Sequence, residues 1–110
     1  MGRVSPPGPR RGDVWIADVP GDKRRPVVVL TRDSVLPRLS TLLVAPVTTR
    51  VRNIPTEVPL GSSHGLDREC VANFDNIAPL PKSALVTCLG HLSREELTQV
   101  CAAARFAIDC

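Results

Sequence analysis

Tyrosine is missing from this 110-residue chain, and Trp15, Phe74 and Phe106 are its only aromatic residues. The core must therefore be assembled from Val, Leu, Ile and Ala, and the length suits one domain rather than two. No apolar run approaches the roughly 20 residues that a helix needs to cross a bilayer. The opening MGRVSPPGPRRG also lacks an apolar signal segment, so a cytoplasmic location is the expectation. Cys70, Cys88, Cys101 and Cys110 form no C-x-x-C pair, and His64 and His91 do not stand at ligand spacing with them. A zinc site normally brings paired ligands, so no metal and no cofactor are expected, and the thiols read as small, buried and reduced.

What is present is unevenly distributed charge. Residues 1–52 carry ten Lys/Arg against four Asp/Glu, whereas residues 53–110 carry four against seven. A basic first half suits a polyanionic partner, and a solvated face without a ligand is the competing explanation. Residues 1–11, rich in Pro, Gly and Arg, read as a disordered basic arm, leaving 12–110 as a single domain.

Alternation marks 12-GDVWIADV-19 as a strand, and PGDKR is the turn after it. Further strands are expected at 26–32, 40–49, 56–60, 70–77 and 84–90. Pro46 argues for an edge position or a bulge in the third of these. The period then changes. Ser93 and Glu96 form an S-x-x-E capping box, followed by a helical stripe of Leu97, Val100, Cys101, Ala104 and Ile108. The terminal FAIDC reads as core-facing. Five or six short strands and a C-terminal helix predict a mainly β fold, a small curled antiparallel sheet or barrel with the helix packed on it.

Three clusters could carry chemistry. In 23-KRRPVVVLT-31 the proline pushes Arg25 into extended geometry at a strand mouth beside Lys23 and Arg24. A guanidinium there offers planar donors to a phosphoryl transition state. A solvated turn with a salt bridge to Asp22 or Asp18 is the plainer alternative. In 48-TTRVR-52 two hydroxyls and two more guanidiniums follow a strand end. In 73-NFDN-76 a strand would set Asn73 and Asp75 on one face, as a polar ladder or as a base with its orienting partner. His64 and His91 invite a two-histidine ribonuclease, although a loop and a helix cap are ordinary places for polar side chains.

Taken in order, R-G-D-V-W, R-P-V-V-V-L, V-A-P-V-T-T, V-A-N-F-D-N-I and a C-terminal helix resemble the MazF/PemK family of toxin endoribonucleases. The resemblance spans residues 11–108. It implies a small SH3-like barrel of the CcdB/MazF type, assembled as a two-fold homodimer. It also implies sequence-selective, metal-independent cleavage of single-stranded RNA, and control by a cognate antitoxin peptide. By position the catalytic residues are Arg25, Thr48 and, in the PemK branch, Asp75. Lys23, Arg24, Thr49, Arg50, Arg52, Asn73 and Asn76 are the expected RNA contacts. Asn73 stands where that branch has arginine, Asn76 where it has glutamine, and the first turn is shorter than in many relatives. A CcdB-like gyrase-binding toxin, or a nuclease-inactive RNA-binding regulator, would use the same fold. RNA supplies its own 2′-hydroxyl nucleophile, so an enzyme of this kind needs charge stabilisation and proton transfer. Arg25 suits the first task, Thr48 a hydrogen bond to phosphate, and Asp75 or a water the role of base.

Overall fold

A computed structural model describes residues 8–21 and 23–108. Most of the expected arm, and Asp22, therefore lie outside the described residues. Among the described residues seven strands and one α-helix follow one another: β1 (Asp13–Asp18), β2 (Arg24–Val29), β3 (Thr41–Thr48), β4 (Glu57–Leu60), β5 (Cys70–Asn73), β6 (Ala78–Pro81), β7 (Leu85–His91) and α1 (Arg94–Ala107). All pairings are antiparallel, in the order β4-β5-β3-β2-β1-β7, with β6 on the first half of β3.

β3 belongs to two sheets. Thr41–Val44 pair with β6, and Val47 and Thr48 pair with β5. Pro46, expected at an edge or a bulge, lies inside the sheet opposite Val27 at this changeover, where a missing N–H costs the ladder least. The result is a curled half-barrel whose two faces are both covered. Val28, Ala45, Val47, Phe74 and Val100 fill the side under α1, while Val27, Val29, Leu42, Val44 and Leu80 fill the other. Alternate side chains of a strand point to opposite faces, so the run 27-VVV-29 feeds both cores and all three valines are buried.

The half-barrel is closed by the segment between β4 and β5. A Cβ on Gly65, whose φ is +81°, would lie 2.3 Å from the Leu89 carbonyl oxygen of β7. The segment thus packs backbone-to-backbone across β7, at the far end of the strand order from β4. Its buried His64 completes the seam: Nδ1 accepts from the Gly61 N–H at 3.1 Å and Nε2 meets Glu96 Oε2 at 2.8 Å. With Nδ1 accepting, the neutral ring carries its proton on Nε2 and donates it to Glu96.

Ser93 caps α1 as the capping box requires, with both reciprocal bonds present. The buried stripe differs from the expected one. Val100 and Ala103 are buried, with Leu97, Ala104 and Ala107 against them, whereas Cys101, Phe106 and Ile108 are exposed. The FAIDC reading is thus corrected for Phe106 and Ile108, and Asp109 and Cys110 lie outside the described residues. The helix turns 100° per residue, and the three alanines 102–104 left its phase undecided by one position.

Glu96 sits below the ordinary glutamate range, chiefly because the Ser93 N–H bonds it and further because His64 donates to it; burial works in the opposite direction. A carboxylate depressed in the folded state stabilises at pH above its unfolded value, and that contribution is lost as pH falls through the folded value. Thermal melts across pH 3–6 should therefore show Glu96→Gln losing less stability toward acid than the parent. Parallel curves would mean the seam does not titrate.

Candidate active site

The basic strand mouth is ordered. β2 begins at Arg24 rather than at Pro26, so two of the three cations lie within the ladder. Asp18 pairs with Arg24 in register, and their side chains bond at 2.7 Å. This is the salt bridge to Asp18 that the plainer alternative offered for Arg25, made instead by Arg24. Both side chains are more than half exposed, so the pair is worth about 0–1 kcal/mol. Lys23 is exposed, whereas Arg25 is half-buried rather than solvated.

Arg25 and Thr48 come together through sheet register. Val27 lies opposite Pro46 and Val28 opposite Ala45. Continued by two residues, the same register sets Arg25 opposite Thr48, on the face away from α1. Directly opposed residues in adjacent strands are roughly 5 Å apart, which suits two donors converging on one phosphate. Thr48 Oγ1 accepts from the Arg50 N–H at 3.1 Å. That bond occupies one lone pair of the hydroxyl and leaves its hydrogen available for donation. Thr49, Arg50 and Arg52 follow as an exposed basic loop.

Asp75 is not brought to this pair. The fifth strand, expected to run to residue 77, ends at Asn73, and 74–76 form a 3-10 turn. Buried Asn73 caps the turn by accepting from the Asp75 N–H at 2.9 Å. Asp75 accepts in turn from Thr56 Oγ1 at 2.7 Å. Since Val71 is the partner of Thr48 and β5 runs antiparallel to β3, Asp75 lies roughly 7 Å or more toward the other end of β3. The ladder of Asn73 and Asp75 on one strand face is replaced by this local cap. Asn76 is exposed beside it.

The two histidines do not form an acid–base pair. His64 is buried with both ring nitrogens engaged, and His91 is an exposed side chain 3.8 Å from Asp13. Among the described residues, no group of three His, Cys, Asp or Glu is placed to hold a metal ion. Of the described cysteines Cys70 is buried while Cys88 and Cys101 are exposed, which corrects the expectation of buried thiols for those two.

One group went unread in the sequence. Glu57 of β4 accepts the backbone N–H groups of Arg52 and Asn53 on Oε1, at 2.9 and 3.0 Å, and so pins the basic loop. Asn53 itself sits at φ 58°, a left-handed geometry that asparagine tolerates. The other oxygen, Oε2, is buried without a hydrogen-bond partner among the described residues. A glutamate in a four-residue strand between prolines carries no motif, so only the fold reveals it.

The model of the "PemK-like, MazF-like toxin of type II toxin-antitoxin system" family matches residues 10–108. The chain is 40% identical over 103 residues to probable endoribonuclease MazF5 of Mycobacterium tuberculosis, covering 93% of this chain and 94% of that protein. It is 37% identical over 102 residues to probable endoribonuclease MazF2 of the same species, covering 92% and 99%. Among solved structures it superposes on M. tuberculosis toxin MazF-mt6 with TM-score 0.83 at 37% identity, over 88% of this chain and 96% of the other. A mycobacterial endoribonuclease in complex with its cognate antitoxin gives TM-score 0.82 at 29% identity, over 92% and 95%. The register that sets Arg25 against Thr48 is thus found in a chain that belongs to the PemK-like, MazF-like toxins of type II toxin–antitoxin systems.

Proposed function

We infer that this protein is the endoribonuclease toxin of a toxin–antitoxin pair and cuts single-stranded RNA through the 2′-hydroxyl of its substrate. The observation that carries the mechanism is the opposition of Arg25 and Thr48 across β2 and β3. The 2′-oxygen attacks phosphorus while the bond to the 5′-oxygen breaks, giving a 2′,3′-cyclic phosphate and a 5′-hydroxyl. Arg25 stabilises the charge that builds on the phosphate oxygens, and its guanidinium is too weakly acidic to serve as base. Thr48 donates to one of those oxygens. The 2′ proton passes to water, because Asp75 stands in the turn beyond β5 bonded to Thr56, and water returns a proton to the departing 5′-oxygen. Lys23, Arg24, Thr49, Arg50 and Arg52 hold the flanking phosphates, Asn76 contributes from the exposed turn, and Asn73 acts by shaping that turn.

The partners that fit are single-stranded RNA, a second copy of the chain and the antitoxin, whose acidic segment covers the same cations. No helix among the described residues is long and apolar enough to cross a membrane, and the setting that fits an RNA-cutting toxin is the cytoplasm. The test is cleavage of single-stranded RNA in excess EDTA. Products with 5′-hydroxyl ends are expected at undiminished rate. Activity lost in EDTA and restored by magnesium would overturn the mechanism.

A further inference from the structure

Beside the catalytic pair the sheet carries a cavity of about 400 Å³, within the roughly 300–1,000 Å³ of small-ligand sites. The row of opposed residues that runs from Arg25 to Thr48 continues to Val71 of β5 and Pro59 of β4. Strands lie about 4.8 Å apart, so the cavity starts one strand from Thr48. Ile54, Pro59 and Val71 give it apolar walls, and Glu57, Glu69 and Asn53 supply polar groups. Val51 and Asn53 also line it, and the exposed Arg50 and Arg52 belong to the same loop. Cations on the loop and carboxylates inside sort the parts of a nucleotide: phosphate is held at the loop and repelled from the interior.

We propose that this cavity receives the base of a nucleotide next to the cut and selects one that presents amino hydrogens, with Glu57 as the reading residue. The inference rests on RNA cleavage at Arg25 and Thr48. A carboxylate only accepts hydrogen bonds. Guanine offers N1–H and an amino group, adenine and cytosine an amino group each, whereas the one donor of uracil, N3–H, is flanked on both sides by carbonyl oxygens. Two backbone N–H groups hold Glu57 Oε1, while Oε2 lies buried in the wall with no hydrogen-bond partner among the described residues. Uracil can donate N3–H to that oxygen only by bringing a carbonyl oxygen to the carboxylate on either side; an amino-bearing base satisfies it without that double repulsion.

The experiment is cleavage of single-stranded RNA randomised around the cut by the parent and by Glu57→Gln. Glutamine keeps the oxygen that pins the loop and replaces Oε2 by a donor. In the parent, one position adjoining the cut should favour amino-bearing bases over uracil by about tenfold or more. In Glu57→Gln that preference should fall below about twofold or reverse, while preferences at other positions persist. A parent that favours uracil there, or a preference unchanged by the substitution, would overturn the proposal. Amide shifts of Ile54 and Val71 on titration with GMP, AMP, CMP and UMP give an arm independent of cleavage. The amino-bearing nucleotides should bind more tightly than UMP, and only in the parent; equal binding would count against the site even if RNA is cut. A parent that cuts no RNA would instead refute the catalytic reading, leaving the titration to decide the cavity.

Discussion

Replacing Arg25 by alanine is expected to lower RNA cleavage about 10³-fold or more, the scale on which a charge-stabilising donor or an arginine finger acts. That corresponds to about 4 kcal/mol of transition-state stabilisation. Arg25→Lys should recover about a tenth or less of the loss, because a point charge cannot offer two parallel donors. The side chain is half-buried beside Ala17 rather than solvated, so truncation should also cost some stability. Single-turnover rates must therefore be read with thermal melts on the same samples. Thr48→Val, nearly equal in volume, should cost about tenfold by removing one hydrogen bond to a charged oxygen. Full activity in Arg25→Ala would remove the arginine from the mechanism.

The largest effect on stability is expected at Phe74. It is 1% exposed and the largest of the fully buried side chains, and it joins the β-sheet core to Val100 and Ala103 of α1. Truncating such a residue to alanine costs about 3–5 kcal/mol, a large share of the roughly 5–15 kcal/mol that holds a domain together. The melting temperature of Phe74→Ala should fall by at least ~12 °C. The turn at 74–76 carries Asp75, so exchange protection of the Asp75 amide should fall with it. A shift of only a few degrees would show that neighbouring side chains collapse into the space.

Phe74 also shows why part of this molecule could be read from its sequence and part could not. Alternation located β1, the valine run located β2, and the capping box located the start of α1 to the residue. β6 was missed because Ala78–Pro81 contains two prolines, which argue against a strand when only propensity is consulted. It pairs nonetheless with Thr41–Val44, and Leu80 enters the core on that face. The end of β5 was overrun because Asn73 and Asp75 fit strand spacing equally well. Only the bond from the Asp75 N–H to Asn73 chooses the turn. At the site, Pro26 marked Arg25 and the strand end marked Thr48, since both signals are local. Their opposition is a matter of register between β2 and β3, which no local pattern records. Glu57 depends wholly on distant partners and was invisible.

The seam made by Gly65 and His64 bears on how the chain reaches its fold in a crowded cell. A sheet that is only half a barrel has two open edges, and unpaired N–H and C=O groups recruit strands from other molecules. The partners of the seam, Leu89 of β7 and Glu96 of α1, emerge from synthesis after β4 and β5. For that interval β4 is an exposed template for aggregation. Pro59, near the middle of β4, removes one donor from it. The same proline that walls the base cavity thus acts as a gatekeeper against intermolecular pairing until the C-terminal helix arrives.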